Sequence, residues 1–325
     1  MNTLKKIGLT ALAGSLVATS VFAGEMSVSG SASVTAEGYT GENLLGGTAF
    51  SMGNQLDFAG SGELDNGMTV SVAMTIDQND DSTAAGAAYT GGPFDSHSVT
   101  VSSDAMGTFK FSGEGGSSAQ SALDTTAAGD MWDNFDGKVT SGATVTASTA
   151  GDNSMMYTLP SMVDGLSISG SYAPQGTGSE SSVAYAATYT GVEGLSVSWG
   201  TGETNTGVAT TTGDTDTMKA SYAYGSVTVA YSNTEHSNGT ATSNQDVTSM
   251  NVAYTVSDAI SISYGTEELD SNNSTTDAEY SGISASYTAG GMTITANRQS
   301  ADNIAYGTAS TEDMDYWSLG LSFAF

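Results

Sequence analysis

The sequence predicts an all-β fold, a transmembrane antiparallel up-and-down β-barrel of sixteen strands. Three observations predict it. After residue 24 apolar side chains recur at every second position, as Met68, Val70, Val72, Met74 and Ile76 do against Thr69, Ser71, Thr75 and Asp77, giving each strand one apolar and one polar face. The connections alternate between short turns and long polar loops. Tyrosine and tryptophan gather near the ends of the apolar faces.

Composition narrows the alternatives. The chain has 325 residues with 41 glycines, 3 prolines and no cysteine, and only 13% of it is charged, about half the share usual in a soluble domain. Without cysteine there is neither a disulfide scaffold nor a thiolate metal site. A net charge of −29 repels a phosphate backbone, so nucleic acid is excluded as a partner. Hydrophobic residues, at 38%, are too many for a disordered acidic tail and too scattered for helical spans.

Residues 1–23 read as an export signal: Lys5 and Lys6, an apolar stretch from Ile7 to Val17, and the small-x-small step Val21-Phe22-Ala23. Residues 24–325 then form one barrel domain. The cations beyond the signal are Lys110, Lys138, Lys219 and Arg298.

Strands are expected over 26–38, 54–65, 68–77, 97–104, 108–114, 153–160, 165–173, 181–190, 195–201, 217–224, 226–233, 247–256, 259–266, 278–288, 291–299 and 313–325. Sixteen is even, which lets the first and last strands pair and close the sheet. Turns such as Asp65-Asn66-Gly67 and Ala289-Gly290-Gly291 supply the positive φ of tight hairpins. Opposite them lie long stretches at 39–53, 78–96, 115–152, 202–216, 234–246, 267–277 and 300–312. Residues 137–149 also alternate, but a strand there breaks the parity, so they fall in the third loop.

On the apolar face, ascending strands finish in Tyr172, Trp199, Tyr231 and Tyr264, and descending strands in Tyr189, Tyr224, Tyr254 and Tyr287. These are two rows suited to the membrane–water interface, where the ring is buried and its polar atom stays wet. Leu, Ile and Phe are too few to fill a soluble core of this length. The alternate positions are Ser, Thr, Asp, Asn and Glu, the lining of a lumen that sixteen strands make too wide for side chains to fill.

The run Tyr157-Thr158-Leu159-Pro160 followed by Gly165-Leu166-Ser167-Ile168-Ser169-Gly170-Ser171-Tyr172 resembles the strand–turn–strand after the third loop of alphaproteobacterial general porins, and Phe111-Ser112-Gly113-Glu114-Gly115 resembles their approach to that loop. The last strand alternates through Trp317, Leu319, Leu321 and Phe323 to Phe325. The resemblance implies an outer-membrane protein of a Gram-negative bacterium, set in lipid as a homotrimer. It further implies passive diffusion of small hydrophilic solutes, a third loop folded into the lumen, and Phe325 as a signal to the barrel-assembly machinery.

The constriction is expected at that loop, where Asp124, Asp130, Asp133 and Asp136 are interleaved with Trp132 and Phe135. The family commonly sets such an acidic loop against an arginine cluster, which this chain lacks. Lys110 and Lys219 point inward by strand phase, whereas Arg298 reads either way, its phase with Met292, Ile294 and Ala296 putting it outward near the outer rim. Carboxylates in excess favour cations through a narrow low-dielectric passage. The other acidic runs, Asp77 to Asp81, Glu267 with Glu268 and Asp270, and Asp313 with Asp315, are expected in or beside loops. They support weak divalent-cation binding at most, and no cofactor.

His97 and His236 lack ligand spacing, and no nucleophile elbow or phosphate-cradling loop is present, so an enzyme is not expected. A non-conducting surface or adhesin-type barrel is the other reading, and ohmic conductance in bilayers separates the two.

Overall fold

The computed structural model describes residues 26–41, 47–78, 94–138, 143, 145–174, 180–204, 213–238, 244–306 and 313–325. The segment expected to be an export signal, residues 1–23, lies outside them. The strands are β1 Met26–Gly41, β2 Gly47–Glu63, β3 Thr69–Gln78, β4 Ser96–Ser103, β5 Gly107–Glu114, β6 Ser154–Thr158, β7 Leu166–Ala173, β8 Ser182–Tyr189, β9 Leu195–Thr204, β10 Gly213–Tyr224, β11 Val227–Asn238, β12 Gln245–Ser257, β13 Ile260–Ser271, β14 Ala278–Ala289, β15 Met292–Asp302 and β16 Met314–Ala324. Each pairs antiparallel with its sequence neighbours, and β1 with β16, so the barrel is closed. The seam is finished by the last residue: Gly30 N–H donates to the Phe325 carbonyl at 2.8 Å and Phe325 N–H to that of Gly30 at 3.0 Å. Closure satisfies every edge, which hydrocarbon demands.

The sixteen strands match the sequence reading in order, but several reach further on the long-loop side. β13 was expected to stop at 266 and runs to Ser271, β11 to Asn238, and β1 and β2 absorb much of 39–53. Glu267, Glu268 and Asp270 therefore lie in a strand rather than a loop, while Asp77 and Asp315 lie in the strands expected to hold them, β3 and β16. The described residues of 137–149 form no strand.

The outer face explains the extra length. Met218, Tyr231, Met250, Val252 and Tyr264 are exposed on it, and beyond them the same faces turn acidic. Asp216 opposes Glu235, which opposes Asp246, which opposes Asp270, and Glu268 opposes Glu279. Like charges directly across a sheet repel, so such a ladder belongs in water and marks where the strands leave lipid. From Val256 to Asp246 along β12, at about 3.4 Å per residue and a tilt near 40°, the apolar band is about 26 Å tall.

Register also revises the aromatic rows. Tyr254 stands opposite Val227 while Tyr231 stands opposite Met250, and Tyr189 stands opposite Val197 while Trp199 stands opposite Ala187. The rows are offset by two to six residues, the widest where Tyr172 stands opposite Val183 and Tyr189 opposite Leu166, so in most strand pairs they lie closer together than the strand ends do. The sequence placed the outer row at the strand ends because it ended those strands too early.

Candidate functional site: the third loop and the lumen wall

The third loop leaves β5, runs inside the barrel and returns to β6. Its outgoing arm is docked on inward hydroxyls and amides. Ala119 N–H donates to Ser171 Oγ on β7 at 2.8 Å, Ala127 N–H to Ser232 Oγ on β11 at 2.8 Å, and Ala128 N–H to Ser249 Oγ on β12 at 2.9 Å. Asn134 Nδ2 donates to Gln299 Oε1 on β15 at 3.0 Å, and the Tyr39 hydroxyl on β1 donates to the Asn134 carbonyl at 2.7 Å. Inward Ser and Thr were expected to line water. From β7 to β15 many of them hold the loop instead.

Gln120 joins the two arms. Fully buried, it donates from Nε2 to Thr217 Oγ1 at 2.8 Å and accepts Ser148 N–H at Oε1 at 2.8 Å. The returning arm continues through Thr146, whose hydroxyl donates to Gln245 Oε1 at 3.0 Å. The wall makes room with glycine where the backbones meet. A Cβ on Gly202 would sit 2.6 Å from that of Ser148, and one on Gly265 2.6 Å from that of Ala128. A glycine breaking strand alternation is the sequence signal of such an approach, and it went unread.

Part of the lumen is dry. Met131 and Phe135 of the loop pack with Val247, Leu269, Tyr280, Ile304, Met314 and Tyr316 of the wall and the loop above it. The inward face of β12–β16 is thus apolar in its outer half, correcting the expectation of a polar face along all sixteen strands. The arc β2–β6 stays open as the other wall of the passage, with Gln55, Asp57, Thr75, Thr100 and Lys110 in the inward phase.

The predicted constriction residues are partly brought together. Lys219 Nζ donates to the Thr125 carbonyl, beside the charges of Asp124 and Asp130. Asp130 adopts a left-handed backbone with φ of 57°. Its carboxylate accepts Thr126 N–H at 2.8 Å, and its own N–H donates to Thr126 Oγ1 at 2.8 Å. Asp133 and Asp136 flank buried Phe135 and stay open to solvent. Burial pushes the Asp124 carboxyl above its ordinary range, Asp130 adding to this and Lys219 opposing it. Partial burial raises Asp133 too, helped by Asp130 and Asp136. Lys110 stands apart on the β4–β6 wall, opposite Thr100 and Met156.

Sequence reasoning missed Glu267. It is 2% exposed on β13, where its carboxylate accepts the Thr126 hydroxyl and, at 3.0 Å, Trp132 N–H. Its inward phase was readable from Ile260, Ile262 and Tyr264 had the strand been carried past 266. Glu37 on β1, which accepts the Tyr316 hydroxyl at 3.0 Å, and Asp57, which accepts Gln55 Nε2 and Thr75 Oγ1 at 2.7 and 2.8 Å, add inward carboxylates.

The remaining groups lie elsewhere. Lys138 sits 4.3 Å over the Tyr39 ring. Arg298 faces outward, 3.8 Å from Asp315. All eight predicted girdle aromatics are exposed on the outer face: Tyr172, Tyr189, Trp199, Tyr224, Tyr231, Tyr254, Tyr264 and Tyr287. His97 pairs with Glu114 at 3.8 Å. His236 shares a 3.0 Å hydrogen bond with Thr215, whose 0% exposure denies any substrate its hydroxyl. Among the described residues, no three His, Asp or Glu side chains converge to hold a metal ion.

The sequence model of the family described as Gram-negative porin matches residues 8–295. No curated protein matches the chain in sequence. Among solved structures, the chain is similar to the anion-selective porin from Comamonas acidovorans, with a TM-score of 0.67 and 14% identity over 93% of this chain and 100% of that one. The OmpF of Salmonella typhi, solved with daunomycin, gives a TM-score of 0.68 and 14% identity over 92% of this chain and 97% of that one. A multiple mutant of the Rh. blastica porin gives a TM-score of 0.65 and 15% identity over 93% and 100%.

Proposed function

Since this chain belongs to the Gram-negative porin family, and is thus an outer-membrane channel protein, we propose that its barrel passes small hydrophilic solutes and ions by passive diffusion and prefers cations to anions. The barrel architecture does not decide the sign, because an anion-selective porin shares it. The sign comes from this chain's own residues, and the observation that carries it is the disposition of its few cations. Beyond residue 23 there are four. Arg298 faces outward, Lys138 lies on Tyr39, and Lys219 is engaged with Thr125 beside Asp124 and Asp130. That sets three lumen cations, Lys110, Lys138 and Lys219, against Asp124, Asp130, Asp133 and Asp136 on the loop and Glu37, Asp57, Asp77 and Glu267 on the wall.

An ion entering this passage meets carboxylates on both sides. Their fields add, and the surrounding protein and lipid focus them along the water. Cations concentrate there and anions are depleted. The loop lying across β7–β15 narrows the path to the β2–β6 side, so size also limits what passes.

The protein works as a homotrimer in this reading. Exposed Tyr and Trp occur on the outward faces of β6 to β14 and of β16, whereas the described residues of β1–β5 present Val28, Val34, Met52, Leu56, Val99 and Phe109. Amphipathic rings are useful where a strand meets the lipid headgroups, and a face covered by neighbouring subunits never does. The aromatic residues elsewhere act as the girdle, and Phe325 at the seam is the handle for assembly.

The test is single-channel recording of refolded protein with reversal potentials in a salt gradient. Stepwise ohmic openings with a cation-positive ratio are expected. A barrel that inserts without conducting would return the protein to the adhesin-type reading.

A further inference from the structure

At its turn the loop that carries the constriction meets a buried wall carboxylate as well as the hydroxyls of Ser232 and Ser249. Glu267 is sealed between β13 and the loop, and its hydrogen-bond partners there are neutral donors: the Thr126 hydroxyl and the backbone amides of Trp132 and Met131. Desolvating a carboxylate is costly, and several donors converging on it are what offset that cost. Thr126 passes the constraint on. Its oxygen accepts Asp130 N–H and its own amide donates to the Asp130 carboxylate. This ties the left-handed residue of the turn to the same point. Asp124 lies two residues before this knot and Asp133 one residue after Trp132.

We propose that Glu267 is the positioning residue of the constriction: it fixes the 126–132 turn against β13 and so sets where the loop carboxylates stand in the passage. This rests on the reading that those carboxylates give the channel its cation preference. Two features separate positioning from a mere contribution of charge. An amide at the same place keeps an oxygen for the Trp132 N–H and turns an N–H to the Thr126 oxygen, which can accept it, but removes the charge. In addition, Trp132 reports the turn directly, because the chain has three tryptophans and the other two, Trp199 and Trp317, are exposed on the outer face.

The experiment compares wild type, Glu267→Gln and Glu267→Ala, refolded into vesicles and checked by far-UV circular dichroism. Reversal potential in a salt gradient is measured for each. So is acrylamide quenching of the emission that remains when brominated lipid silences Trp199 and Trp317. Glu267→Ala should shift the reversal potential toward zero and steepen the quenching of Trp132, while Glu267→Gln stays close to wild type in both. If Gln and Ala lower the preference equally and quenching does not change, Glu267 acts through its charge and the positioning role is overturned. Indifference of both readouts to Ala overturns it as well. Should wild type itself show no cation preference, the reading beneath the proposal has failed, and the quenching arm still decides whether Glu267 holds the turn.

Discussion

The sharpest test of the proposed selectivity is to replace Asp124, Asp130, Asp133 and Asp136 together by asparagine. Asparagine tolerates the left-handed backbone of Asp130 and keeps an oxygen for Thr126 N–H. With a carboxylate roughly 7 Å from the ion's path, each interaction is about 0.6 kcal/mol in a water-like medium. Screening with a Debye length near 10 Å at 0.1 M salt reduces it to about 0.3 kcal/mol. Four charges then sum to about 1.2 kcal/mol, or roughly an eightfold loss in cation partition. What remains in the described lumen is nearly balanced: Glu37, Asp57, Asp77 and buried Glu267 against Lys110, Lys138 and Lys219. The variant should therefore have a reversal potential close to that of free diffusion. At 1 M salt the screening length falls to about 3 Å, and the same replacement should change partition by less than about twofold. An unchanged reversal potential at 0.1 M, or an equal shift at both concentrations, would refute the electrostatic reasoning.

Lipid contact is tested by pairing Val252→Arg, outward in the middle of the apolar band, with Ala253→Arg, inward beside it. The first should cost about 2–4 kcal/mol in urea titrations of the vesicle-inserted barrel, and the second should mainly alter conductance, so equal costs would reverse the two faces. The upward shifts of Asp124 and Asp133 mean that, as pH falls, these two bind protons before a carboxylate at the ordinary value of about 3.9. Cation preference should thus begin to decline above that value, and a decline confined below it would contradict the burial of the loop. Gly265→Val places carbon where Ala128 Cβ already stands 2.6 Å away. The overlap should cost about 1–3 kcal/mol and displace the loop turn, seen as altered conductance with circular dichroism unchanged; wild-type conductance would mean the loop does not rest there.

Strand count, order and facing were legible because alternation survives wherever one side of a sheet touches lipid and the other touches water. It faded where that contrast ended. Past Tyr264 the outward residues of β13 become Glu268 and Asp270 while the inward ones become Glu267 and Leu269. The pattern there is no longer apolar-out and polar-in, and the strand was stopped at 266. The same inversion hid the seat of the loop. Leu269, Tyr280, Met314 and Tyr316 face a neighbouring chain segment, not water, and no local rule distinguishes that from a strand turned the other way. The acidic loop itself was visible, but its internal geometry was not. Asp130 read as a free charge when its carboxylate and amide are both engaged by Thr126. Lys219, read as a wall charge, grips the loop carbonyl of Thr125.

These misreadings share a physical cause. A barrel of sixteen strands encloses more space than its own side chains fill, and a long loop lying in bulk water inside it would gain little to offset the entropy of holding one path. The loop stays in place because it brings Met131 and Phe135 to an apolar wall, takes hydroxyl partners from β7 to β12, and finds glycine where a side chain would push it away. The inward face therefore serves two solvents: water along β2–β6, and the loop along β7–β15. A residue such as Ser249 or Glu267 belongs to the second. Substituting it should first change where the loop carboxylates stand, while Ser71 or Thr100, on the first, should change only the water-facing surface. Conductance variants on the two arcs should thus separate by their effect on Trp132 quenching, and a lumen in which they did not would be uniformly solvated after all.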